Sequence, residues 1–320
     1  MKALILSRIA ILLAASATLY SQTQAFAQTA KGADGASTQP LAAERAETAK
    51  IRLTRKSAAY WEVTFNNPPL NVVGPAEVRD LAKILDEIEA DPKVKVVVFD
   101  SAVPDYFMAH YDLLKPLKDS TDMKPGPTGM HPVPDFMVRL SRLKAVTIVS
   151  IRGRASGIGS ELALAADMRF ASREKAVISQ FEVGAGFVPG GGPMARLPRL
   201  VGHGRAIEIL IGADEFNGEL AERYGYVNRA LPDAELDGFV DALATRIASF
   251  DQQAIADTKK LVDLANMPPD AEMQTGWDAF ITSVQRPGAQ ARVKALIEKG
   301  LGQPGDVERH LNQSTAEYKE

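Results

Sequence analysis

The chain has no cysteine in its 320 residues, which excludes disulfides, thiol nucleophiles and thiolate metal sites and leaves stability to the core. Histidine is nearly as scarce, and His131, His203 and His310 show no metal-ligand spacing, so no metal is expected. There is no surplus of positive charge: 37 Lys and Arg stand against 40 Asp and Glu, a net charge of −3. That balance lacks the electrostatic footprint of a nucleic-acid-binding protein. The apolar run from Ile9 to Tyr20 is shorter than the roughly 20 residues needed to span a bilayer. What remains is ordinary globular composition, 46% hydrophobic and 24% charged, which suits one large domain with a helical appendage or two domains.

At the N-terminus, Lys2 and Arg8 precede the apolar run, and a polar segment ends in Ala25, Phe26 and Ala27. This is the layout of a secretory signal peptide over residues 1–27, cleaved after Ala27, and it predicts an exported, periplasmic protein without stable membrane insertion. Cleavage would remove two positive charges and take the net charge from −3 to −5. Residues 28–48 lack any apolar period and read as a disordered tether.

Order is expected from about residue 49. The segments IRLTRK and YWEVTF alternate apolar and polar positions on either side of Ser57 to Ala59, which predicts a hairpin. Pro75 to Ala90 places Val78, Leu81, Ile84, Leu85 and Ile88 on one helical face behind a proline suited to a first turn. VKVVVF, from Val94 to Phe99, reads as a strand buried on both faces, as does Val146 to Ile151. With the helix that follows, these elements give a β-α-β rhythm, hence an α/β core with parallel strands. Thr121 to Pro134 reads as a mobile loop, and nearly everything after Glu235 has helical period.

The most informative stretch is RASGIGSELALAAD, from Arg154 to Asp167. Gly157 and Gly159 permit a tight turn into an apolar helix, leaving amides around Ile158 directed outward at a helix start, which favours negative charge. Glu161 lies in the first turn, where it either serves as an ordinary first-turn carboxylate or faces whatever those amides hold. Farther on, Glu182 precedes the loop GAGFVPGGGP, too glycine-rich for regular structure.

Three separated motifs carry a resemblance: NNPPLN near Asn66, YFMAHYD from Tyr106 to Asp112, and GRASGIGSELALAADMRFAS from Gly153 followed by QFEVGAGFVPGGGPMARLPRLVG from Gln180. From about Ile51 to Leu264 the chain resembles the crotonase superfamily, the enoyl-CoA hydratases and isomerases. The resemblance implies a crotonase-like ββα spiral core over residues 49–234, with a helical C-terminal trimerisation region over 235–320. It implies a homotrimer or hexamer acting on acyl-CoA thioesters, with no cofactor beyond the coenzyme A of the substrate. It also implies two backbone amides, at Ala109 and Ile158, holding the thioester oxygen, and two catalytic carboxylates, Glu161 and Glu182. Tyr106, Phe107, His110, Gly157 and Gly190 are the substrate-binding candidates.

Two positions depart from the family pattern: His110 and Ile158 stand where glycine is usual. His110 is either an extra acid or base near neutral pH or a structural residue bonded to Asp112 or a backbone carbonyl. Asp112 is expected to cap the following helix, Arg196 and Arg199 to bond carbonyls and carboxylates, and Lys115, Lys118 and Lys259 either to meet nucleotide phosphates or to remain solvated. Three functions follow: a thioester hydratase or isomerase, an exported crotonase-fold scaffold without catalysis, or a crotonase-fold enzyme using a non-CoA carbonyl compound.

Overall fold

In the computed structural model, the structure describes residues 49–319. The expected signal peptide and the tether lie outside them. Ile51–Arg55 (β1) and Tyr60–Phe65 (β2) form the expected antiparallel hairpin, followed by helix Pro75–Ala90 (α1). Val96–Ser101 (β3) and Tyr106–Met108 (β4) lead to the short helices Leu117–Thr121 (α2) and Pro132–Ser141 (α3). Then come Val146–Ile151 (β5), Arg154–Ser156 (β6), Ile158–Ala165 (α4), Met168–Ser172 (β7) and Val177–Ser179 (β8). Pro193–Val201 (α5), His203–Gly212 (α6), Glu215–Asn217 (β9), Gly218–Tyr224 (α7) and Arg229–Leu231 (β10) close the core. The C-terminal region is helical: Asp233–Ala248 (α8), Gln252–Asn266 (α9), Asp270–Val284 (α10), Pro287–Lys299 (α11), Asp306–Arg309 (α12) and Leu311–Ala316 (α13).

The strands form two sheets, β1-β2-β3-β5-β7-β10 and β4-β6-β8-β9. Each of the pairs β3β4, β5β6 and β7β8 places one strand in each sheet before the chain returns through helix, so the core is a ββα spiral. The turns repeat in structure although no repeat is visible in the sequence. From β2 to β10 the larger sheet is parallel. Its strands carry the continuous apolar runs of a two-sided sheet: Val97 and Phe99 face one cluster, while Val96 and Val98 face another that includes Leu236 and Val240 of α8.

The short strands β4, β6 and β9 were not expected, since three residues are too few to show a period. Helix α3 overlaps the expected loop: it begins at Pro132, and Thr128 is fastened to Asp135 through its backbone N–H and its hydroxyl. Lys259 neither remains solvated nor waits for a phosphate. Its Nζ lies 2.7 Å from Asp167, which also accepts from the Thr147 amide and hydroxyl, joining α9 to the start of β5 and β7. Asp167→Ala leaves those donors without their acceptor and is expected to lower stability by about 1–3 kcal/mol in thermal or denaturant unfolding.

Candidate active site

Glu161 enters the site from the first turn of α4, and Glu182 from the turn after β8. Both are nearly sealed, at 4% and 5% exposure, yet both line one cavity of about 130 Å³. Glycine makes their approach possible. Gly157 sits at φ +53°, and a Cβ there would stand 2.6 Å from Glu182 Oε1 and 2.9 Å from the Phe181 ring. Across the cavity, Gly191 lies bare against Glu161, to which its amide donates at 2.9 Å. Gly190 lines the same space, and a Cβ there would stand 3.0 Å from the Phe280 ring.

The two carboxyls have different surroundings. Burial raises Glu161 to about 7, against the lowering effect of hydrogen bonds from the Gly191 and Gly190 amides. Burial raises Glu182 well above the ordinary range, the negative charge of Glu161 raises it further, and its Oε2 has no hydrogen-bond partner. The pair therefore titrates as a unit, with the shared proton favoured on Glu182.

A helix start contributes free donors. The first intrahelical bond of α4 runs from the Glu161 amide to the Gly157 carbonyl, which leaves the Ile158 amide without a backbone partner. Gly159 lets α4 press against the end of β4, since a Cβ there would stand 2.6 Å from the Met108 carbonyl oxygen.

The second amide differs from the one the resemblance implies. The Ala109 N–H donates to the Leu70 carbonyl at 3.1 Å, and its side chain packs with Leu70, Val103 and Tyr106, so this donor is already occupied. Two residues on, Tyr111 pairs with Val73 in a parallel bridge. Val73 donates to the His110 carbonyl at 3.1 Å and accepts from the Asp112 amide at 2.8 Å. In a planar trans peptide the C=O and N–H point in opposite directions, so the Tyr111 N–H is turned away from Val73. It has no partner among the described hydrogen bonds, and Tyr111 lines the cavity with Ile158 and both glutamates.

Gly157 stands behind Glu182 rather than on the cavity lining, and three further candidates also lie outside the cavity. Tyr106 and Phe107 are buried in core clusters because β4 is covered on both faces, and Phe107 packs edge-on against Phe65 at 5.4 Å. His110 is buried behind the loop and bonded to the Tyr111 carbonyl and to Glu308, a partner the sequence did not suggest. Asp112 accepts from the Leu114 amide and closes a turn; the helix after it begins only at Leu117, behind Pro116. Arg196 and Arg199 do bond carbonyls, of Met137 and Ala195, with Arg199 also held by Glu272.

The C-terminal helices supply the rest of the cavity wall. Trp277 and Phe280 on α10 have ring centroids 5.0 Å apart and face Phe181 and Phe187, which makes an apolar pocket beside the carboxylates. His131 stacks on Trp277 at 3.9 Å. The i, i+3 spacing of Trp277 and Phe280 was the available signal for this lid. A larger cavity of about 700 Å³ lies under α9, but its cations Arg169, Arg196 and Lys259 are bonded to carbonyls or to Asp167, and neither Glu161 nor Glu182 lines it. Among the described residues no group of three or more His, Asp or Glu comes together to hold a metal.

Against known proteins, the family model for enoyl-CoA hydratase/isomerase matches residues 55–300. The short-chain-enoyl-CoA hydratase of Clostridium acetobutylicum is 31% identical over 212 residues, covering 66% of this chain and 80% of that protein. The mouse mitochondrial enoyl-CoA hydratase domain-containing protein 2 is 34% identical over 184 residues, covering 57% of this chain and 61% of its own length. A solved structure from Streptomyces avermitilis, provisionally described as an enoyl-CoA hydratase, superposes with a TM-score of 0.81 at 39% identity, covering 86% of this chain and 99% of that one.

Because Glu161 is held above its ordinary value, the folded state keeps a proton that the unfolded chain releases. The associated stability is whole below the ordinary glutamate range and is lost as pH rises through about 7. Glu161→Gln cannot ionise and is expected to melt roughly 2–6 °C above the wild type at pH 8, with the gap closing toward pH 5 in calorimetric scans.

Proposed function

The chain belongs to the enoyl-CoA hydratase/isomerase family, and from that premise we propose that it adds water across the double bond of a short enoyl-CoA thioester. The observation that carries this reading is the buried pair Glu161 and Glu182 on one cavity with the free amides of Ile158 and Tyr111. The thioester oxygen would accept from those two amides. As water adds to the β carbon, charge moves onto that oxygen, and preorganised donors in a water-poor site stabilise it; one such donor is worth about 3 kcal/mol.

The unequal carboxyls supply opposite roles. Glu161, whose ionised form is favoured by the Gly190 and Gly191 amides, takes the proton from water. Glu182, the more strongly raised of the two, holds its proton and delivers it to the α carbon. The aromatic pocket of Phe181, Phe187, Trp277 and Phe280 takes the acyl chain, and its small volume supports a short one. Coenzyme A then enters only as part of the substrate, with Lys115 on the lining of the cavity as a cation near its entrance.

Export with cleavage after Ala27 and assembly into a homotrimer or hexamer are further parts of this reading. Exposed Leu261, Val262 and Leu264 on α9, a helix with no buried residue, support the assembly.

Hydration of crotonyl-CoA, followed at the enoyl absorbance with protein starting at Gln28, tests the reading. Glu182→Gln and Glu161→Gln are each expected to lower kcat by at least about 10²-fold. Unchanged turnover in both would sink the two-carboxylate mechanism. Gly157→Ala should lower kcat by about 10²-fold as well, because its methyl displaces Glu182 from its working position.

A further inference from the structure

His110 does not line the cavity, yet it is one of the most completely buried polar groups of the fold, at 1% exposure. Its Nε2 lies 2.9 Å from Glu308 Oε1, and its Nδ1 lies 2.6 Å from the Tyr111 carbonyl oxygen. Both partners are acceptors. A neutral imidazole has one N–H, so satisfying both at once requires the imidazolium. Glu308 in turn accepts from the Gly302 amide, as a carboxylate would. A buried ion pair thus spans 198 residues and joins the C-terminal segment to the loop beside the cavity. Gly302 completes the clasp, because a Cβ there would stand 2.5 Å from the Leu114 side chain on that same loop.

Tyr111 is fastened on both of its peptides: Val73 holds the His110 carbonyl, and His110 Nδ1 holds the Tyr111 carbonyl. With Tyr111 taken as the second amide of the oxyanion site, as proposed above, we propose that the His110–Glu308 ion pair is a positioning device that aims the Tyr111 N–H at the thioester oxygen. His110 and Glu308 are positioning residues, since neither reaches the cavity where the substrate reacts. A loop residue with a glycine before it would lack this brace, and the chain replaces that freedom with a buried charge pair reached from its far end.

Other groups around the pair favour its charged form. Burial, the largest influence, pushes His110 down, but the hydrogen bond and charge of Glu308, the Tyr111 carbonyl and Asp112 together raise it. Burial pushes Glu308 up, but His110, the Gly302 amide and Arg154 on β6 together lower it. Tyr106 on β4, Asp105 just before it and Arg309 on α12 also belong to the charged surroundings.

The test uses the bound absorbance of an arylacryloyl-CoA ester, which shifts to the red when oxyanion donors polarise its carbonyl, whether or not water adds. Glu308→Gln keeps the shape and removes one charge. The double variant His110→Gln, Glu308→Gln removes both, so no unpaired buried charge threatens folding. In both, the red shift is expected to collapse and kcat to fall about 10²-fold with KM little changed. In Glu308→Gln the alkaline limb of kcat should also move to lower pH, because the charge that opposes most of the burial effect at His110 is then gone. Nitrogen NMR of the wild type should find both ring nitrogens of His110 protonated at pH 8.

A full red shift and unchanged kcat in the folded variants, or a neutral His110 ring in the wild type, overturns the proposal. A wild-type red shift that the variants lose, without hydration of crotonyl-CoA, supports the ion pair and defeats the hydratase reading instead. No red shift in the wild type defeats the oxyanion assignment, and the positioning role with it.

Discussion

Two carboxyl groups of like charge, shut away from water in one small cavity, are the constraint on which the rest of the site depends. Neither would occupy that place for stability alone, since burial disfavours each charge and each charge disfavours the other. Their position is imposed by the core around them: α4 is buried along its whole length between the sheets, and Glu182 is held by the turn after β8. The strain is tolerable because Gly157 and Gly191 bring bare backbone against the carboxyls where any side chain would intrude. The result is a pair of carboxyls unequal in proton affinity, because at Glu182 the negative charge of Glu161 adds to the effect of burial.

The C-terminal region does more than extend the fold. Trp277 and Phe280 close the apolar side of the cavity, and Glu308 reaches back to the loop at His110. Residues from the loop after β4 to α12 therefore contribute to one site, and that site is complete only when the C-terminal helices have docked. Such long-range closure is slow to form compared with local structure, and it makes the lid and the chemistry cooperative with folding of the whole chain.

Departures from the usual family residues acquire a physical meaning in this light. His110 in place of glycine takes conformational freedom away from the loop and substitutes a braced geometry. Ile158 keeps its backbone donor, because a helix-start N–H is independent of the side chain that follows it. Its branched side chain lies in the cavity wall and narrows the space beside the carbonyl site.

Much was legible in the sequence because it depends on local pattern. Alternating hydrophobicity marked the hairpin, helical period marked α1, continuous apolar runs marked β3 and β5, and a glycine turn marked the start of α4, while the resemblance of the motifs singled out Glu161, Glu182, Gly157 and Gly190. Three-residue strands such as β4 and β6 were not, since they are too short to carry a period. Nor could the sequence separate Ala109 from Tyr111 as the free amide. That choice is made by hydrogen bonds to Leu70 and Val73, about 40 residues away, which consume one N–H and turn the other outward. Tyr106 and Phe107 face the core for the same kind of reason: the elements that cover both faces of β4 come from elsewhere in the chain. The sequence by itself determined the longer strands and helices and which acids and glycines could meet. Only the tertiary structure decided which backbone donors are left free and which charge finds which partner, because a peptide's direction and a buried ion's protonation depend on neighbours that are distant in the chain.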